Sequence, residues 1–83
     1  MVVLSEHTKR KLRRLDKATR KLIGAEIRKY QNSEPVDIKK IKGEKDTWRI
    51  AVGSWRILIE ASSDGEQELL TVADVVPRKD AYK

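Results

Sequence analysis

The run Trp48-Arg49-Ile50-Ala51-Val52-Gly53-Ser54-Trp55-Arg56-Ile57-Leu58-Ile59-Glu60 leaves this chain few ways to fold. Trp48, Ile50 and Val52 alternate with Arg49 and Ala51. Beyond Gly53-Ser54, Trp55, Ile57 and Ile59 alternate with Arg56, Leu58 and Glu60. Period-two alternation marks strands with one face on a core. Gly53-Ser54 suits a two-residue type II′ turn, which takes glycine first. A turn of that length sets Val52 opposite Trp55 and Ala51 opposite Arg56. Arg49, Ala51 and Arg56 then share the face away from the tryptophans. The hairpin is anchored on one side and left open and cationic on the other, a surface suited to phosphate.

Size limits what the rest can add. A chain of 83 residues, 39% of them apolar, predicts a single domain over 1–83 with one modest core. There is no cysteine, which excludes disulfides, thiolate nucleophiles and cysteine zinc sites. The one histidine, His7, excludes a multi-histidine metal cluster. No metal or cofactor is expected. No apolar run approaches the length of a bilayer span, and Met1-Val2-Val3-Leu4-Ser5 is too short for a signal peptide. The expectation is a soluble cytoplasmic protein with no membrane partner.

The formal charge of +6 is unevenly spread. Residues 1–46 hold 14 Lys and Arg against 7 Asp and Glu, whereas residues 47–83 hold 5 against 6. Such asymmetry points to a polyanionic partner, nucleic acid before membrane. Lys and Arg are also good helix formers and serve equally on a solvated helix face. Charge alone leaves both readings open.

The pattern predicts a short edge strand over 1–4 and a first helix from an N-cap at Ser5 to about Leu15, with Glu6 in its first turn. Thr8, Leu12 and Leu15 form its narrow apolar stripe. Asp16 is the second N-cap, and a second helix runs from Lys17 to about Gln31 with Leu22, Ile23, Ile27 and Tyr30 on its core face. Gly24 weakens that helix by about 1 kcal/mol relative to alanine and leaves room for close packing. Asn32-Ser33-Glu34-Pro35 ends it. Residues 36–46 read as a connection pinned by Ile38 and Ile41. After the hairpin, Ser62-Ser63-Asp64-Gly65 reads as a turn, and Leu69 to Ala73 as a third strong strand that can reach Val76 before Pro77 stops it. The order β-α-α-β-β-β predicts an α+β fold, with a two-helix hairpin packed on one face of a mostly antiparallel sheet.

Four segments together resemble the RelE/ParE toxin superfamily: Ile38-Lys39-Lys40-Ile41-Lys42-Gly43, Trp48-Arg49-Ile50, Val52-Gly53-Ser54-Trp55-Arg56-Ile57 and Pro77-Arg78-Lys79-Asp80-Ala81-Tyr82. Leu12, Leu15 and Asp16 fall where that family has a leucine-leucine-aspartate break. No single piece is specific; their order and spacing are, and they span nearly the whole chain. The resemblance implies the toxin of a toxin–antitoxin pair, held in a hetero-oligomer by a cognate acidic antitoxin. RelE-type members cleave mRNA in the ribosomal A site without a metal, and ParE-type members inhibit DNA gyrase.

For the ribonuclease, the resemblance implies that Arg56 stabilises the phosphate, Arg78 acts as general acid and Tyr82 aids the nucleophile or stacks on a base. Arg49 matches a basic position on the same strand. Lys42, Lys45 and Lys79 are expected RNA contacts; Lys42 and Lys45 share with Lys39 and Lys40 a run that reads either as a phosphate-tracking strip or as an ordinary solvated loop. The departure is Ala51, where strongly active RelE members often carry Lys or Arg as base or charge partner. Alanine can do neither. Three functions stay open on this account: a ribosome-dependent mRNA endoribonuclease, a gyrase inhibitor that cuts nothing, and a weakened module that only binds antitoxin. Spacing alone makes Trp48 and Trp55 core anchors, His7 a solvated surface residue and outward arginines ordinary solvated groups.

Overall fold

The computed structural model describes residues 2–44, 46–64 and 67–78. In chain order it contains β1 (Val2–Leu4), α1 (Glu6–Arg14), α2 (Lys17–Gln31), β2 (Ile38–Lys40), β3 (Thr47–Val52), β4 (Trp55–Asp64) and β5 (Gln67–Pro77). The strands form one five-stranded sheet in the order β1-β5-β4-β3-β2, antiparallel except for the β1–β5 pair.

Both helices start on the expected caps. The Ser5 side chain accepts the Thr8 N–H at 3.1 Å, and Asp16 accepts the Thr19 N–H at 3.0 Å. Leu15 between the helices is extended, so the chain reverses there without a loop. The α2 C-terminus closes with two bonds, Glu34 N–H to Lys29 O and Ser33 N–H to Tyr30 O, around Ser33 at φ 59°. That is a Schellman arrangement with serine in the usual glycine position. The α2 core face is narrower than expected. Ile23 and Ile27 are buried, but Leu22 is 46% exposed. A side chain at Gly24 would meet nothing within 4 Å, so close packing does not explain that glycine.

The hairpin register is the expected one, Val52 opposite Trp55 and Ala51 opposite Arg56. Gly53 takes φ +56° and Ser54 stays at negative φ, as a type II′ turn requires. Ile23, Ile27, Ile50, Val52, Ile57, Ile59, Val72 and Val75 make the core, with Trp48 and Trp55 packed at its margin.

Three boundaries differ from the sequence expectation. Residues 38–40 are a strand, pairing Ile38 with Ile50 and Lys39 with Arg49. Three residues, two of them lysine, offer too little alternation to reveal it. Ser62 to Asp64 continue β4 instead of turning, so β4 and β5 are longer than expected; Gly65 lies outside the described residues. The third difference is a bulge. Leu58 pairs with Asp74 and Ile59 with Val72, so Ala73 is an extra residue in β5. It explains how Val72 and Val75, three apart, are both fully buried.

The bulge is clamped by α1. Val72 O accepts the Ser5 N–H at 3.1 Å and the Thr8 hydroxyl at 2.9 Å, and the Ser5 hydroxyl donates to Ala73 O at 3.2 Å. Asp74 receives the Val75 N–H at 2.8 Å and Lys11 Nζ at 2.9 Å, with His7 Nε2 at 3.1 Å. His7 is thus exposed but tied to the sheet. Burial raises the Asp74 pKa; the Lys11 hydrogen bond, the Val75 N–H and the Lys11 and His7 charges outweigh it, and the net value is lowered.

Candidate active site

On the face opposite the helices, Asp37, Lys39, Arg49, Ala51, Arg56 and Arg78 line one concavity of ≈ 220 Å³. The strand register explains the grouping. Arg49 lies across from Lys39 on β2, and Ala51 lies across from Arg56 on β4. The Ala51 N–H donates to Asp37 O at 3.0 Å, which extends the β2–β3 ladder by one step. Val76 pairs with Arg56 and Pro77 with Trp55, and the Arg78 N–H then donates to Ser54 O at 2.7 Å. This last bond ties the end of β5 to the hairpin turn and brings Arg78 beside Arg56.

Among the described residues, four cations and one carboxylate therefore meet in a small hollow. The Nε atoms of Arg49 and Arg56 are shut off from solvent. Arg56 is only 6% exposed, which corrects the expectation that it lies open on the solvent side. Period two tells which face a side chain takes, not how much neighbouring chain rises around it. Arg78 is exposed at the rim. A partly buried guanidinium acts on an anion through a lower effective dielectric than an exposed one, and its planar fork matches two phosphate oxygens.

The lysine strip divides. Lys39 lines the concavity, whereas Lys40, on the opposite face, sits over the Trp48 ring at 5.7 Å from its centroid. Lys42 is exposed in the turn after β2 and does not line the concavity. Lys45, Lys79 and Tyr82 lie outside the described residues. The structure brings together Arg49, Arg56 and Arg78 of the expected set, and adds Lys39 and Asp37. Asp37 carried no sequence signal, because it precedes a strand that the pattern did not reveal.

No protein-family model matches the sequence, and no curated protein does. Among solved structures, the RelB–RelE antitoxin–toxin complex from Methanococcus jannaschii aligns with a TM-score of 0.69 at 32% identity, over 96% of this chain and 94% of that one. The chain belongs to the RelE toxin family. The archaeal RelE–RelB complex from Pyrococcus horikoshii OT3 aligns with a TM-score of 0.66 at 23% identity, over 93% of this chain and 92% of that one, and shows the same fold. Arg56, Arg78 and Ala51 all line the concavity. Among the described residues, no helix is long and apolar enough to cross a membrane.

Proposed function

We propose that this RelE-family chain is the toxin of a toxin–antitoxin pair and cleaves mRNA on the ribosome. The observation that carries the reading is the convergence of Lys39, Arg49, Arg56 and Arg78 on one hollow. In such a cleavage the ribose 2′-OH attacks the adjacent phosphorus and the 5′-oxygen leaves. Negative charge builds on the phosphate, and preorganised cations lower the barrier most when they are aimed at that charge. Arg56, held by burial, grips the phosphate. Arg78, exposed at the rim, neutralises charge on the departing oxygen. Few acid–base groups line the hollow among the described residues, so the ribosome supplies orientation, which can carry much of the rate.

Two features support an acidic antitoxin as partner. Strands β1 and β2 are the sheet edges, and an edge accepts an added strand. Beside them Val2, Tyr30, Val36, Ile38 and Leu70 help line a hollow of ≈ 680 Å³. The excess of cations in residues 1–46 would speed association with an acidic chain, less so as salt screens it.

Ala51 favours a second reading, a toxin that inhibits gyrase without cutting RNA. One experiment separates the two. Purified protein is added to translating ribosomes, mRNA 5′ ends are mapped by primer extension, and gyrase supercoiling is assayed in parallel. New ends that need ribosomes are expected, and Arg78→Ala should lower their rate at least tenfold with unchanged circular dichroism, since Arg78 is exposed. Intact mRNA together with inhibited gyrase would overturn the ribonuclease reading.

A further inference from the structure

We propose that Asp37 is the base of this site, replacing a group that Ala51 cannot supply. The proposal rests on the ribonuclease reading above. Ile38 pairs with Ile50, and the Ala51 N–H bonds to Asp37 O, so Asp37 stands directly across from Ala51. Arg56 faces Ala51 from the other side. The row across the sheet is therefore Asp37, Ala51, Arg56, and all three line the same concavity. Adjacent strands lie about 4.8 Å apart, which puts the backbones of Asp37 and Arg56 about 10 Å apart. The short methyl of Ala51 leaves the space between them open. A ribose with its 3′-phosphate spans such a gap, the phosphate toward the guanidinium and the 2′-OH toward the carboxylate.

The chemistry of the residues around the hollow points the same way. Arginine stays protonated, and a lysine amine is ordinarily protonated at neutral pH. Lys39, Arg49, Arg56 and Arg78 can stabilise charge but are poorly suited to take a proton. Among the described residues, Asp37 is the carboxylate that lines the hollow. It is exposed, and none of the ion pairs among the described residues involves it. Its oxygens are thus available as acceptors, in reach of an incoming hydroxyl. In the proposed step the 2′-oxygen forms its bond to phosphorus while its proton passes to an Asp37 oxygen. The bond from phosphorus to the 5′-oxygen breaks, and that oxygen takes a proton from water. The products are a 2′,3′-cyclic phosphate and a 5′-hydroxyl, and Asp37 returns its proton to solvent.

The test is single-turnover cleavage of ribosome-bound mRNA by the wild-type chain, Asp37→Asn, Asp37→Ala and Arg78→Ala. General-base catalysis is worth about 10²- to 10⁴-fold, so both Asp37 variants should cut at least 100-fold more slowly. Circular dichroism should not change, because Asp37 holds the sheet through its backbone carbonyl. Added formate or acetate should restore part of the rate to Asp37→Ala, in proportion to its concentration, and should do nothing for Arg78→Ala. A merely structural role would give no such rescue. Loss of cleavage in Asp37→Ala without rescue overturns Asp37 as base. So does an Asp37→Ala rate within threefold of wild type while Arg78→Ala is impaired, and that result leaves the ribonuclease reading standing. A wild-type chain that cuts no mRNA removes the ribonuclease reading and the proposal together.

Discussion

Two polar patches sit on this sheet, and they are built on opposite rules. Where α1 crosses β5, opposite charges and hydrogen-bonding groups meet: Asp74 gathers Lys11, His7 and the Val75 N–H, while Ser5 and Thr8 satisfy the carbonyls of Val72 and Ala73. In the hollow on the other face, Lys39, Arg49, Arg56 and Arg78 converge, and among the described residues Asp37 is the carboxylate that lines it. The first patch is closed and holds the fold. The second gathers like charges in a partly buried place, an arrangement that attracts an incoming anion. Charge content alone would not separate them. The sign of the neighbours does.

The sharpest way to break this contrast is Arg56→Ala. Loss of one aimed cation costs on the order of 3 kcal/mol in a transition state, so cleavage should fall about 100-fold or more. Because Arg56 is buried, its stem also packs, and some stability should be lost with it. Arg56→Lys keeps the charge and most of the stem but not the fork. If Arg56 serves phosphate, the lysine variant should recover stability and much less of the rate, read by denaturant unfolding beside cleavage. Full recovery of both would mean that the fork is irrelevant.

Thr8→Val attacks the closed patch. Thr8 is fully buried and donates to Val72 O. Losing that buried bond should cost about 1–2 kcal/mol, measured as a lower denaturation midpoint at unchanged slope, with cleavage by the folded fraction untouched. A fall in specific activity would show that the two patches are coupled.

Asp74→Asn should have the smallest effect, no more than about 1 kcal/mol for a partly exposed pair, and its pH dependence sharpens the comparison. The Asp74 pKa is lowered in the folded chain. Its contribution is therefore complete above the ordinary carboxylate value near 3.9 and lost as pH falls through the lowered one. Wild type and variant should differ in stability at neutral pH and converge in acid. A gap that persists at the lowest pH would assign the effect to packing.

Much of this architecture was legible in the sequence, for local reasons. Ser5 and Asp16 set the helix starts through their own side chains, and Gly53-Ser54 fixed the register of the central hairpin and so the face shared by Arg49, Ala51 and Arg56. What escaped depends on long-range fit. The Ala73 bulge breaks alternation without a glycine or proline to mark it. Strand β2 is too short and too rich in lysine to show a period; had it been visible, alternation would have put Lys39 with the arginines and Lys40 with Trp48, and shown Asp37 facing Ala51. The burial of Arg56 depends on surroundings that no periodicity reports. Resemblance to RelE toxins pointed to Arg56 and Arg78, but named no base beside Ala51.

The parallel pairing of β1 with β5 has a consequence in time. The contact from Ser5 Oγ to Ala73 O spans 68 positions, so the first strand has no sheet neighbour until residues 70–72 have been made. Arg78 and its bond to Ser54 come later still. Chains are made from the N-terminus, at roughly 5–20 residues per second, and contacts this distant in sequence slow folding further. While β3 and β4 can pair early, the hollow lacks its last wall until synthesis has passed residue 78. The cationic site is therefore not assembled while residues 1–77 are being made.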